Sequence, residues 1–297
     1  MKALYQTLCL TIALAVVQPA LAQNPQDGVQ VSRPSILSKL GGGSSLERQA
    51  ALQYNQVLAE AQQKRALAPA NNPQLIRLRQ IAARLIPYTH RWNSKAGSWE
   101  WEINLLGSQQ INAYCMPGGK IAFYTGILDT LKLTDDEVAI VMGHEIAHAL
   151  REHGAERQGK AIVANLGVRI AQMIANAKGY DPNVAGALAG GFANVGMLAF
   201  SRGDETEADI VGLDLAARAG YDPRAGVALW QKMGLLNQKA PPQWLSTHPS
   251  GNNRIAEIRK HLPEVMPLYA TSKGLALQGI APYRTNVKEI APVAYPG

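Results

Sequence analysis

Cysteine is nearly absent from this sequence of 297 residues, which contains two, Cys9 and Cys115. Cys9 lies in an apolar stretch close to the N-terminus, so the rest of the chain has Cys115 alone. A single cysteine cannot form an internal disulfide, and it cannot supply the several thiolates of a typical structural zinc site. We therefore interpret Cys115 as a buried, inert thiol.

Apolar runs long enough to cross a bilayer are also lacking. The stretch from Leu8 to Val17 is too short to span a membrane. It follows the positive charge of Lys2 and precedes Ala20-Leu21-Ala22, the small-residue pattern of a cleavage site. Residues 1–22 are thus predicted to be a signal peptide cleaved after Ala22, which would place the mature protein in the periplasm. An uncleaved anchor is the alternative.

A second apolar stretch, residues 184–200, is rich in alanine and is interrupted by Asn194 and four glycines. It is interpreted as a close-packed core helix and not as a membrane span. Aromatic residues make up 6% of the chain, and its net charge of +7 comes from scattered lysines and arginines. This composition argues against nucleic-acid binding, and it fits either peripheral attraction to anionic membranes and acidic partners or mere solubility.

The most informative stretch present is His144-Glu145-Ile146-Ala147-His148. On a helix, the two histidines lie about 40° apart around the axis and about 6 Å apart along it, so both can bind one tetrahedral Zn²⁺. Glu145 is rotated about 100° from His144, where it reaches a zinc-bound water. This is the arrangement of a metallopeptidase with the glutamate as general base. Two histidines and a glutamate on the polar face of an ordinary helix are the simpler alternative.

The residues around the motif favour a buried helix. Thr134 to Glu137 has the pattern of a capping box, and the positions that follow are apolar on nearly every side. A third histidine ligand at the usual longer spacing is excluded, because Arg151 and Gly154 occupy the required glycine and histidine positions. His153, about 140° away from His148 on a continued helix, is predicted to be solvated.

The third ligand is therefore expected from a later acidic helix, Ser201 to Asp209. Glu205 and Asp209 are four residues apart, so one can bind the metal while the other hydrogen-bonds a ligand histidine. Glu207 is about 200° from Glu205 and is predicted to face elsewhere. An acidic first turn that complements the helix dipole would explain Asp204 and Glu207, but it explains Glu205 with Asp209 less well.

These motifs together resemble the HtpX-like and CAAX-prenyl-protease family of gluzincin zinc metalloendopeptidases. The resemblance covers roughly residues 70 to 262 and rests on HEIAH, on SRGDETEAD and on THP followed by Arg254. It implies one Zn²⁺ held by His144, His148 and Glu205, with Glu145 as base and Asp209 supporting a ligand histidine. Several members of that family are embedded in membranes, and this chain departs from them.

His248, within the THP motif, has three interpretations. As a residue before proline in a loop, it is most simply a surface residue. If the loop folds over the cleft, the ring could instead donate a hydrogen bond to the developing oxyanion. It could also occupy the open zinc position as a latch that a substrate displaces. We favour the latch, because the sequence shows no inhibitory domain to restrain an exported protease.

The predicted fold is α+β and mainly helical, with a zincin-like catalytic domain at residues 44–262. Residues 23–43 are predicted to be a flexible leader and residues 263–297 an extended or disordered tail. Three short strands precede the zinc helix, and the resemblance places the strand after Pro117-Gly118-Gly119 at the sheet edge beside the metal. An edge strand can hold an extended peptide, although a plain hairpin covering the core is the alternative.

The sequence thus predicts a zinc endopeptidase. By resemblance alone, its substrates are misfolded or misassembled envelope proteins, and its partners include the membrane surface or the outer-membrane assembly machinery. A zinc-containing chaperone or scaffold without proteolytic turnover is the main alternative. A metal-dependent hydrolase of other substrates is weaker, because an edge strand suits extended chains.

Overall fold

The computed structural model describes residues 28–32, 34–40, 43–163, 166, 199–236, 243–248 and 253–295. The predicted signal peptide therefore lies outside the described residues, as do nearly all of residues 164–198. Among the described segments, no helix is both long and apolar enough to cross a membrane.

The N-terminal part is helical. It comprises α1 (Ile36–Leu40), α2 (Gly43–Gln63) and α3 (Pro73–Leu85), followed by 3₁₀ turns at Ile86–Arg91 and Ser94–Ser98. Asn72 caps α3 as its position before a proline predicts, since its side chain accepts hydrogen bonds from the backbone N–H of Gln74 and of Leu75. The apolar face of α3 then packs into the main core.

The prediction that residues 23–43 form a flexible leader is wrong for those residues that the structure describes. The side chain of Asp214 accepts a hydrogen bond from the N–H of Val29, whose own side chain is fully buried. Ser38, in α1, donates to the carboxylate of Glu152 at 2.8 Å. These contacts with distant parts of the chain order the segment, although its lack of periodicity gives no sign of them.

The sheet contains β1 (Glu102–Leu106), β2 (Ala113–Met116) and β3 (Lys120–Tyr124) in the order β1-β3-β2. The hairpin β2-β3 is antiparallel, while β1 pairs with β3 in parallel. The strand after the Pro117-Gly118-Gly119 turn is therefore central, and the expectation that it forms the edge is wrong. The edge beside α5 is β2, the strand before that turn.

After α4 (Thr125–Thr130), the helix α5 (Asp135–Leu150) carries the HEIAH motif and is buried almost throughout. The predicted capping box is confirmed, because Thr134 and Glu137 each accept a hydrogen bond from the other's backbone N–H. α5 packs against α3, β2 and the later helix α7 (Arg202–Arg218). A Cβ at Gly143 would lie 2.8 Å from the carbonyl oxygen of Gly212, so glycine permits the close approach of α5 and α7.

The helical pattern does not run on continuously after His148. α5 ends at Leu150, Glu152 takes a left-handed backbone conformation with φ of 57°, and a separate helix α6 occupies residues 153–163. The predicted core helix at residues 184–200 lies almost entirely outside the described residues.

The C-terminal part contains α7, α8 (Ala225–Leu236), α9 (Gln243–Thr247) and α10 (Arg254–Lys273). The predicted extended or disordered tail, residues 263–297, is wrong at its start, because α10 continues through Pro263 and Pro267 to Lys273. Burial of Leu262, Val265, Met266 and neighbouring apolar side chains outweighs the two lost helical hydrogen bonds.

Residues 274–295 lack helices but are not a detached tail. Tyr283 and Val293 exchange backbone hydrogen bonds, and both side chains are buried in the main core. The predicted fold class, a mainly helical α+β zincin-like domain with a three-stranded sheet beside α5, is confirmed.

Candidate metal centre

The two histidines of HEIAH lie one turn apart on α5 with their Nε2 atoms 3.1 Å from each other. Both rings are buried. The Nδ1 of His144 lies 3.0 Å from a carboxylate oxygen of Asp209 on α7. That contact turns the Nε2 of His144 toward His148, so both imidazoles direct a nitrogen at the same point.

Glu205 supplies a carboxylate to this point from the first turn of α7. Its oxygens lie 3.5 Å from the Nε2 of His144 and 3.4 Å from that of His148. The start of α7 is fixed by a capping box between Ser201 and Asp204. The sequence left open which carboxylate of the pair faces the metal, and the geometry places Glu205 there and Asp209 behind His144.

His248 is not a surface residue, since 3% of it is exposed. Its Nδ1 lies 3.2 Å from the Nε2 of His144 and 3.1 Å from an oxygen of Glu205. The four ligand atoms from His144, His148, Glu205 and His248 all lie within 4.8 Å of one another. A tetrahedral zinc with bonds of about 2.0–2.1 Å keeps its ligand atoms about 3.3 Å apart, close to the separations found here.

Glu145 lies beside this cluster and is engaged by a residue that the sequence did not single out. The indole N–H of Trp244, in α9, donates to the Oε1 of Glu145 at 2.7 Å. The same oxygen is 3.6 Å from the Nε2 of His248. Trp244 precedes His248 by four residues and belongs to no recognised motif, so only the folded structure reveals that one segment contacts both Glu145 and the cluster.

Arg254 joins the two carboxylates of α7 from α10. Its guanidinium donates to Asp209 at 2.7 Å and also to Glu205, and it lies 3.9 Å over the ring of Trp230. The stack and the hydrogen bonds together fix a buried cation behind the cluster.

One prediction about a neighbouring residue is wrong. His153 is not solvated: it is 1% exposed, and its Nδ1 lies 3.0 Å from the Nδ1 of His148. Glu207 faces away from the cluster of ligand atoms, as its position on the helix predicts, and it contacts the Nε2 of His153 at 3.1 Å and Arg151 at 2.8 Å. The interruption between α5 and α6 at Glu152 turns His153 back toward His148, which a continuous helix could not do. No glycine or asparagine at position 152 indicates this interruption in the sequence.

Burial and neighbouring charges shift the protonation of the cluster. Burial lowers the pKa of His148 well below its ordinary value, which favours the neutral form that binds metals. Burial alone would raise the pKa of Glu205, but the neighbouring His148 and His248 hold it below its ordinary value. Burial alone would lower the pKa of His248, yet the charges of Glu145 and Glu205 raise it.

The donor set fits a divalent cation that accepts both nitrogen and oxygen ligands. Glu205 and Asp209 share the guanidinium of Arg254, and Glu145 adds a third buried carboxylate nearby, so with neutral histidines the site carries a formal charge of two negatives. A divalent ion would balance that charge. Imidazole nitrogens with one carboxylate are ligands that zinc accepts, whereas magnesium and calcium prefer oxygen alone.

A cavity of about 580 Å³ runs from the cluster along the edge strand β2. Its walls include α2, β2, the end of α5, α6 and the segment that ends at His248. Cys115, on β2, is half-buried in this wall, and burial raises the pKa of its thiol well above the ordinary value. The predicted role of Cys115 as an inert thiol agrees with that direction.

Residues 72–262 match the model of peptidase family M48. The chain belongs to this family. The match covers more than half of the chain and includes both histidines of HEIAH, Glu205, Asp209 and His248. The predicted resemblance to zinc metalloendopeptidases is thereby confirmed at the level of the family.

Relatives within family M48 come from mitochondria and from bacteria. The mitochondrial metalloendopeptidase OMA1 of Arabidopsis thaliana is 39% identical over 165 residues, which cover 56% of this chain and 32% of that protein. OMA1 of Schizosaccharomyces pombe is 32% identical, covering 74% of this chain and 61% of its own length. The beta-barrel assembly-enhancing protease of Escherichia coli is 26% identical, covering 91% and 54% respectively. The matched part is thus less than two thirds of the length of each of these relatives.

Proposed function

We propose that this protein is a zinc-dependent endopeptidase in which His144, His148 and Glu205 hold the ion and Glu145 is the general base. The observation that carries the proposal is the convergence of three ligand atoms from α5 and α7 on one point, with the Glu145 carboxylate beside it. Family membership supports the same activity. When bound, zinc would polarise the scissile carbonyl and lower the pKa of a water molecule to about 7.

In this proposal, Glu145 moves the protons of the reaction. Its carboxylate takes a proton from the attacking water and delivers it to the nitrogen of the leaving amine. In the present structure the Oε1 of Glu145 accepts the indole N–H of Trp244, so this hydrogen bond competes with a water molecule for that oxygen.

The substrate is expected to lie along β2. This strand pairs only with β3 among the described strands, so its other edge is available to an extended peptide beside the cluster. Backbone pairing of this kind accepts many sequences, and the cavity wall would then select among side chains. An endopeptidase acting on extended, unfolded segments follows from this geometry.

Two functional roles were considered for His248, a latch and a hydrogen-bond donor to the oxyanion, and the geometry favours the latch. Its Nδ1 stands at tetrahedral spacing from His144 and Glu205, where a fourth metal ligand would lie. An oxyanion donor would instead leave that position to water and substrate. We infer that His248 keeps the resting enzyme closed until the segment carrying it is displaced.

We further propose that the protein acts in the periplasm on misfolded or misassembled envelope proteins. Support comes from the signal-like residues 1–22 and from relatives that include the beta-barrel assembly-enhancing proteases of Escherichia coli and Yersinia pestis. Peripheral association with the membrane or with outer-membrane assembly machinery belongs to the same proposal. The OMA1 relatives show that related catalytic domains also operate in mitochondria.

One observation favours the alternative of a zinc-containing chaperone or scaffold. With His248 included, the cluster offers four protein ligands, and a closed set of four is typical of structural zinc sites. The two functions differ in turnover. The alternative predicts zinc binding without cleavage, even after His248 is removed.

The test measures metal content and casein cleavage on the purified protein, with and without a chelator. We expect about one zinc per chain, cleavage that the chelator abolishes, and loss of both properties in Glu205→Ala. Glu60→Ala, which alters an exposed glutamate paired with Lys64 on α2, is the matched control and should change neither. Full zinc content in Glu205→Ala would contradict the ligand assignment, and stoichiometric zinc without any cleavage would favour the alternative.

A further inference from the structure

A second buried network lies behind His148, on the side away from the metal cluster. It begins at His153, the first residue of α6, which the left-handed conformation of Glu152 turns back toward α5. His153 has only 1% of its surface exposed, so both of its ring nitrogens require partners within the protein. Those partners are His148 and Glu207.

The network continues to the N-terminal segment through an arginine. The Nδ1 atoms of His148 and His153 are 3.0 Å apart, and the Nε2 of His153 is 3.1 Å from Glu207. The other oxygen of Glu207 accepts from the Nε of Arg151 at 2.8 Å. Arg151 also donates to the backbone carbonyl of Ser32, so the glutamate is held in place from behind.

The direction of each hydrogen bond follows from the chemistry of the groups. Arginine only donates and an ionised carboxylate only accepts, so Glu207 accepts from Arg151 and from the Nε2–H of His153. A neutral imidazole with its proton on Nε2 has its lone pair on Nδ1. His153 therefore accepts from the Nδ1–H of His148, which leaves the lone pair of His148 on Nε2, directed at the cluster.

We propose that His153 and Glu207 are positioning residues that fix the tautomer and the ring orientation of the ligand His148. This inference rests on the proposed metal site and adds to it a second support that differs from that of His144. His144 is oriented directly by the carboxylate of Asp209, whereas His148 is oriented by a neutral imidazole that a carboxylate in turn polarises.

Packing alone does not explain the arrangement. Phe200 stacks on the ring of His148 with a centroid distance of 4.0 Å, which fixes the plane of the imidazole. A rotation of the ring by 180° about its Cβ–Cγ bond would keep this stacking. It would, however, exchange Nδ1 with a carbon and turn the Nε2 lone pair away from the cluster. The acceptor on His153 distinguishes the two orientations.

The first test replaces the acceptor. His153→Leu keeps a buried side chain of similar size without a lone pair, and we expect zinc affinity to fall by about 10- to 100-fold, measured by competition with a chromogenic chelator. His153→Asn places an amide oxygen near the position of the histidine Nδ1, and it should restore most of the affinity. In the cobalt-substituted protein, the visible absorption bands should shift in His153→Leu and return in His153→Asn.

The second test concerns the relay, by which we mean the hydrogen bonds from His148 to His153 and from His153 to Glu207. It reverses their direction without removing any side chain. In Glu207→Gln, the amide oxygen faces the obligate donor Arg151, so its NH₂ group faces His153 and forces the proton of that ring onto Nδ1. That proton then opposes the Nδ1–H of His148, and we expect a loss of zinc affinity comparable to that of His153→Leu. The matched control is Glu264→Gln, which alters an outlying histidine–glutamate pair in which His261 and Glu264 are 2.9 Å apart.

The outcomes separate this inference from the proposed function. If the wild-type protein binds no zinc, the proposed metal site itself fails. If it binds zinc, and the folded His153→Leu or Glu207→Gln variant binds equally tightly with an unchanged cobalt spectrum, the relay is refuted. Should His153→Leu fail to fold by circular dichroism, Glu207→Gln alone decides, and zinc affinity equal to that of Glu264→Gln overturns the proposal.

Discussion

The two ends of helix α5 each hold a buried polar cluster, and the two clusters differ in their charge balance. At the N-terminal end, the carboxylate of Glu137 is paired with the ammonium group of Lys232 at 2.6 Å. Neither side chain has more than 2% of its surface exposed. At the C-terminal end, the carboxylates of Glu205 and Asp209 share one guanidinium, that of Glu145 lies 3.6 Å from His248, and the remaining partners are mostly histidines.

The N-terminal cluster is complete within the protein. One oxygen of Glu137 accepts from Lys232 and from the backbone N–H of Thr134, and the other accepts from the hydroxyl of Thr285. Lys232 also donates to Asn286 and to the carbonyl of Lys132. All three donors of the ammonium group and both oxygens of the carboxylate therefore have partners.

The C-terminal cluster becomes balanced only with an added cation. Its histidines can give up or take protons, its lone pairs converge on one point, and the negative charge exceeds the positive charge. The comparison shows that burial of charge does not by itself indicate function. The informative feature is a buried set of groups whose charges and lone pairs do not balance within the protein.

The largest effect that we predict concerns the end with the excess charge. Glu145→Gln should lose about 10²–10⁴-fold in cleavage rate, because an amide cannot take the proton of the attacking water. Zinc content and fold should be preserved, since Glu145 is not one of the proposed ligands. Casein hydrolysis at the wild-type rate by this variant would show that Glu145 is not the base.

At the balanced end, Lys232→Met should destabilise the protein by about 3–5 kcal/mol, because it leaves the charge of Glu137 buried without a counter-ion. Urea unfolding monitored by circular dichroism measures the change. The double variant Glu137→Gln with Lys232→Met should recover part of the loss. An unchanged midpoint in the single variant would contradict the view that this pair is structural.

Removal of the metal should distinguish the two ends within one experiment. An ion present at 100 times its dissociation constant stabilises the form that binds it by about 2.7 kcal/mol. Chelation should therefore speed hydrogen exchange of the amides from His144 to Leu150, while those from Val138 to Met142 stay protected. Equal effects at both ends would mean that the ion supports the whole helix and not one cluster.

The smallest effect concerns the latch. If the contact of His248 with the cluster contributes about 1.4 kcal/mol, about ten molecules are closed for each open one. Because only open molecules cleave, His248→Ala should raise the cleavage rate about tenfold. The assay is the initial rate of casein hydrolysis per bound zinc. A lower rate would indicate that His248 donates a hydrogen bond to the oxyanion. An unchanged rate would exclude both the latch and the oxyanion donor as its role.

Much of the site could be predicted because its determinants are local. Thr134 and Glu137 form a capping box that indicates the start of α5. His144 and His148 are four residues apart, as are Glu205 and Asp209, so the helical repeat places each pair on one face. Within each pair the two residues lie one helical turn apart, so the spacing inside the pair depends little on the rest of the fold.

The remainder depends on long-range packing or on unmarked backbone changes. His153 reaches His148 because Glu152 adopts positive φ, which few non-glycine residues do and which leaves no pattern in the sequence. α10 continues through Pro263 because that residue is exposed while the opposite face is buried. The parallel pairing of β1 with β3, which makes β2 the edge, likewise results from packing between distant segments.

One feature of the closed site bears on what can open it. Residues 243–248 contact three points along the substrate path: the backbone N–H of Trp244 donates to the carbonyl of Ile111 just before β2, its indole donates to Glu145, and His248 joins the cluster. An inhibitor carried on the same chain acts at a fixed effective concentration, so dilution does not relieve it. A competitor must therefore replace several contacts at once. In the proposed mechanism an extended chain would do so along β2, so the closure would favour unfolded substrates over folded ones.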